Sequence, residues 1–133
     1  MHKGFLKWGA VFGMLSVMLG AFAAHGLKQR IGVTELQVFE TGVRYQFYHA
    51  FALIIVGILF QKFNSKLLKP AGYCFLGGIC LFSGSLYGLV WTQAKGLAGF
   101  NWLGPVTPLG GLLFIMGWLL LLISFFQKPV DNQ

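Results

Sequence analysis

Charge is what this chain has least of. Only 10% of its 133 residues are Asp, Glu, Lys or Arg, against about 25% in a soluble globular domain. Such a surface would not suit water. With 56% hydrophobic residues and a mean hydropathy of +0.72, the composition instead suits lipid, and it excludes disorder and a two-domain enzyme. Acids are scarcest, with three in all, Glu35, Glu40 and Asp131. Glu35 and Glu40, five residues apart, would diverge by more than a right angle on a helix, so paired-carboxylate catalysis is not expected. The two cysteines, Cys74 and Cys80, are six apart in one apolar stretch and point different ways, which excludes a disulfide framework and a Cys-x-x-Cys metal site. Gly-x-Ser-x-Gly and His-Glu-x-x-His motifs are missing too. The formal charge of +7 comes from scattered basic residues with no run that could track phosphates, so no nucleic-acid partner is expected.

What the chain has is long apolar runs. Four of them, about Phe5–Ala24, Tyr45–Phe60, Ala71–Trp91 and Thr107–Phe126, approach the ~20 residues a helix needs to cross a bilayer. The predicted fold class is all-α: an integral membrane four-helix bundle forming one domain over residues 1–133. The first run, preceded by Lys3 and holding Ala21-Phe22-Ala23, also has features of a signal peptide, but its length favours an uncleaved span. Between the first two runs, Thr34 and Gln37 match a capping box, and Leu36, Phe39, Val43 and Phe47 recur at helical spacing. This predicts a short interfacial helix leading into span two, which continues it to make up the length that span two lacks, with Arg44 snorkelling and Tyr45 and Tyr48 at the interface. Pro70 suits the first turn of span three, and Pro105 and Pro108 punctuate the start of span four.

Glycine is plentiful, at 19 residues, and small residues let membrane helices approach closely. The expected packing positions are Gly13, Ser16 and Gly20 in span one and Gly77, Ser83, Gly84, Ser85 and Gly88 in span three. Gly13, Ser16 and Gly20 match Gly77, Cys80 and Gly84 at an offset of 64, which leaves open a duplication of two related hairpins. Lys3, Lys7, Lys62, Lys66, Lys69 and Lys128 lie on one side, and Lys28, Arg30, Arg44 and Lys95 on the other. That excess places both termini in the cytoplasm.

Few side chains could carry chemistry. His25 and His49 would both lie toward the outer face, where they could ligate a haem or metal or, more simply, bond to backbone carbonyls or headgroups. Glu40 and Arg44 have the spacing and order of an ion pair. Ser83, Ser85 and Tyr87 would serve as interhelical glue. No Asp, Glu, Lys or Arg lies mid-span, which argues against an ion-coupled pump.

Four segments then carry a resemblance: Gly20-Ala21-Phe22-Ala23-Ala24-His25-Gly26-Leu27, Tyr45-Gln46-Phe47-Tyr48-His49-Ala50, Leu81-Phe82-Ser83-Gly84-Ser85-Leu86-Tyr87, and Gly104-Pro105-Val106-Thr107-Pro108-Leu109-Gly110-Gly111. In order and across nearly the whole chain they resemble the YgdD/YwdK-like family of small inner-membrane proteins, the domain of unknown function 423. Ala23 stands where that pattern usually has Gly. The resemblance implies four spans and no established activity. It also implies a shared outer site, in which His25, Arg44, Tyr45, Gln46 and His49 would meet Asn101, Trp102 and Thr107 in a pocket for a headgroup, a quinone or a partner protein. The expected function is therefore a membrane scaffold or accessory subunit, not an enzyme, with no metal and no cofactor. Its partners would be the lipid bilayer and either a membrane protein or further copies of itself. A small-molecule carrier or channel acting as an oligomer is the alternative, and a haem or quinone electron-transfer subunit the second.

Overall fold

The computed structural model describes residues 1–63 and 65–127, so Lys128 and Asp131 lie outside the described residues. Helix α1 (Lys3–His25) opens on His2, whose Nδ1 accepts a hydrogen bond from the Phe5 N–H at 3.2 Å, and ends in a 3-10 turn at Leu27–Gln29. Helix α2 is Val33–Leu59. A third span follows as α3 (Leu68–Gly78), one π turn (Ile79–Ser83) and α4 (Gly84–Ala94), and α5 is Leu103–Ser124. All four spans, 22 to 27 residues long, are long and apolar enough to cross a membrane.

The expected interfacial helix continues into span two without a break. Nothing between Thr34 and Phe47 breaks the helical pattern, so the charged stretch forms the first turns of α2. Thr34 lies inside the first turn, and the cap is Gly32, extended at φ −69° and ψ 167°. Span four likewise begins earlier than Thr107. Pro105 falls in its first turn, where a missing N–H costs little, and Pro108 leaves only the Gly104 carbonyl without its usual donor at the membrane boundary. The preceding connection turns on Gly96 and Gly99, at φ 62° and 88°, where only glycine is unstrained.

The two middle spans form the centre. Only 17% of the first span and 22% of the fourth is buried, against 44% and 39% of the second and third. Span one packs along α2 and span four along span three, so the chain forms two paired hairpins joined through α2 and span three. At one end Phe5, Leu53, Val56, Leu68, Phe75 and Leu121 build an apolar core. A smaller cluster of Ala23, Phe39 and Val90 builds the other end.

Close approach depends on different glycines from those expected. A Cβ on Gly9 would lie 2.9 Å from the Ala50 carbonyl oxygen, one on Gly42 2.8 Å from the Tyr87 ring, and one on Gly57 2.8 Å from Leu6. Gly72, Gly78, Gly110 and Gly117 are similarly occupied by Phe5, Phe114, Phe82 and Phe75. By contrast, nothing lies within 4 Å of a Cβ on Gly13 or Gly84, while Gly20, Gly77 and Gly88 meet only side-chain atoms of Val43, Leu113 and Leu103, at 3.1–3.8 Å. In span three the π turn points Ile79 and Ser83 inward, so the four-residue ladder from Cys80 to Gly84 lies on the exposed side. The 64-residue offset fares no better, because Gly13 is open where Gly77 is packed and Gly20 is packed where Gly84 is open.

Candidate functional site

Between the two apolar clusters, spans one, two and three share a polar layer. Gln46 is 3% exposed and bridges all three: its Nε2 donates to the Phe12 carbonyl at 3.1 Å, and its Oε1 accepts from the Tyr87 hydroxyl at 2.8 Å. Ser16 also donates to the Phe12 carbonyl, at 2.7 Å. Ser83, on the inner face of the π turn, donates to the Gly42 carbonyl at 2.6 Å. That bond depends on glycine at position 42, since a side chain there would push Tyr87 and Leu86 away. Toward α5, the Ser85 and Thr107 hydroxyls share a hydrogen bond of 2.6 Å.

His49 closes the layer on the α5 side. It is the seventeenth residue of the 27-residue α2, ~24 Å along the helix from Val33 at ~1.5 Å per residue, and so sits within the bundle rather than at its end. Its Nδ1–H donates to the Tyr45 carbonyl at 2.7 Å, and its Nε2 accepts from the Trp118 indole N–H at 3.1 Å. Together these bonds specify the neutral Nδ1–H tautomer. The ring stacks on Phe114 at 3.5 Å between centroids, 9° from parallel. Both nitrogens are engaged, so the ring offers no lone pair to a metal or haem. No group of three or more His, Cys, Asp or Glu side chains suited to a metal occurs among the described residues.

The expected outer pocket is not assembled. His25 ends α1 and is exposed, about 20 Å along that helix from the Phe12 carbonyl that Gln46 reaches. Asn101 and Trp102 are exposed just before α5, whereas Thr107 is tied to Ser85. Arg44 is exposed and, with Glu40, lines a groove between α1 and α2. Tyr45 lies apart from these, its ring 4.8 Å from Phe82. The reason is position along the helices: Gln46 and His49 lie on the middle turns of α2, Gln46 reaching the middle of α1 at Phe12, while His25 stands at the end of α1. Beside His49, a lipid-facing groove of about 600 Å³ runs between α2 and α5, walled by Tyr45, Tyr48, Phe82, Phe114 and Trp118. Trp118 is the partner that sequence reading overlooked. An indole N–H within a wholly apolar run needs an acceptor, and His49 supplies it.

Known proteins place this architecture. The family described as protein of unknown function (DUF423) matches residues 19–111. The chain is 44% identical over 125 residues to the UPF0382 membrane protein SAB0533 of Staphylococcus aureus, covering 94% of this chain and 97% of that one. It is 43% identical over 123 residues to the UPF0382 membrane protein YwdK of Bacillus subtilis, covering 92% and 95%. No solved structure matches it. Three of the four resembling segments supply part of the polar layer, through Gln46 with Tyr87, Ser85 with Thr107, and Tyr45 with His49, while Phe12, Ser16, Gly42 and Trp118 lie outside them. With four membrane-spanning helices and relatives matched along nearly their whole length, the chain belongs to the DUF423 family of membrane proteins.

Proposed function

We propose that the protein is a non-catalytic scaffold or accessory subunit of the cell's inner membrane, with both termini in the cytoplasm. One observation carries the reading: among the described residues, no buried side-chain N or O atom lacks a hydrogen-bond partner. A carrier must present unpaired polar groups to its cargo. Here Gln46, Ser83, Tyr87 and His49 spend theirs on neighbouring backbone and side chains, and most of these bonds fasten one helix to another. The weakly buried faces of spans one and four supply surface for a partner protein or a second copy. Lys3, Lys7, Lys62, Lys66 and Lys69 at one end, against Lys28, Arg30, Arg44 and Lys95 toward the other, support the orientation.

A second reading, a quinone-binding electron-transfer subunit, is favoured only by the groove beside His49. Native mass spectrometry from mild detergent, with an absorption spectrum of the same sample, separates the two. The scaffold reading expects no visible absorption and either the bare chain or a complex with another polypeptide. A co-purifying quinone or haem of defined mass, lost in the paired variant His25→Gln/His49→Gln, would overturn it.

A further inference from the structure

Spans one and three touch at the end where Phe5 packs into Gly72 and edge-on against Tyr73, with ring centroids 5.4 Å apart. At the opposite end they are held apart. A crevice of about 290 Å³ opens there, with Phe22 and Ile31 on one wall, Trp91 and Ala94 on the other, and Phe39 and Val90 beneath. Phe39 and Val90 are 7% and 3% exposed, whereas Arg30, Lys95 and Trp91 stand exposed at the rim. Lys95 Nζ lies 5.2 Å from the Trp91 ring centroid, which holds that cation over the opening. Among the described residues no acidic side chain lines the crevice: Glu40 lies in the groove between α1 and α2, and Glu35 folds over Gly32.

A Trp and a Lys at the end of a span sit at headgroup depth. A ligand matched to this crevice is negative at the rim, apolar below, and able to enter sideways from the bilayer. We infer that the crevice binds an anionic phospholipid, its phosphate at Arg30 and Lys95 and the upper part of one acyl chain over Phe39 and Val90. The inference goes beyond the scaffold reading, which needs no lipid of particular charge.

The test is lipid retention by native mass spectrometry from micelles containing phosphatidylglycerol and phosphatidylcholine. The wild-type chain is expected to retain phosphatidylglycerol preferentially. Near a membrane surface each cation is worth about fivefold in affinity, so Arg30→Gln/Lys95→Gln should weaken retention roughly 25-fold without changing the melting temperature. Ala94→Trp, which fills the crevice from an exposed position, should weaken it too. Lys28→Gln, on the same connection but outside the crevice, should not. The inference is overturned if the double variant keeps its preference, if Lys28→Gln costs as much, or if inorganic phosphate displaces the lipid as well as short-chain phosphatidylglycerol does.

Discussion

Gly110→Leu is expected to destabilise the folded protein by more than about 3 kcal/mol, while Gly84→Leu should change stability by less than about 0.5 kcal/mol. The two glycines lie in resembling segments and look equally suited to helix packing. Their surroundings are opposite. A Cβ on Gly110 would meet the Phe82 amide nitrogen and lie 2.7 Å from its Cα. Backbone cannot rotate aside as a side chain can, so α5 would have to move off span three. That shift would also stretch the Ser85–Thr107 bond and loosen Phe114 from the Gly78 notch. Overpacking of flexible neighbours costs about 1–3 kcal/mol, and a backbone clash exceeds that range. Around Gly84, within 4 Å of a new Cβ, there is nothing. Unfolding by SDS titration in mixed micelles measures both, and equal losses would mean that span three is rotated from the position described.

That contrast shows where the sequence was readable. The apolar runs located all four spans because length and hydropathy decide membrane crossing almost unaided. Their inner faces were harder, since a membrane helix is apolar all round and its packed side has no hydrophobic stripe to mark it. Glycine spacing is the remaining guide, and in span three it does not tell Gly78, which makes the close approach to Phe114, from its neighbour Gly77, nor the exposed Gly84 from a packed one.

The helical spacing of Leu36, Phe39, Val43 and Phe47 marks the charged stretch as helix, and α2 carries it as its first turns. With α2 starting at Val33, His49 lies on the helix's middle turns rather than near its start. The expectation that a histidine would bond to backbone carbonyls held for His49, through Tyr45. Its second partner, Trp118, is 69 residues away, and no local pattern could have paired them. Similarly, Ser83, Ser85 and Tyr87 were recognisable as interhelical glue from their place in a Gly-rich span. Their partners Gly42, Thr107 and Gln46 depend on how the hairpins dock, which is a property of three dimensions.

Gln46→Leu should lower stability by about 1–3 kcal/mol, because it deletes two interhelical bonds of ~0.6–1.7 kcal/mol each, to the Phe12 carbonyl and from the Tyr87 hydroxyl. The Phe12 carbonyl is not stranded, since Ser16 still donates to it. The loss should therefore fall mainly on the contact of α2 with span three. A double-mutant cycle with Tyr87→Phe isolates that contact, and the expected coupling is ~0.6–1.7 kcal/mol. Ser85→Ala, whose hydroxyl bonds to Thr107 rather than to Gln46, should show no coupling with Gln46→Leu. A vanishing Gln46–Tyr87 coupling would mean that the 2.8 Å bond is not maintained in the bilayer. Gln46 would then be free to face a ligand, and the premise that each buried polar group has a partner within the protein would fall with it.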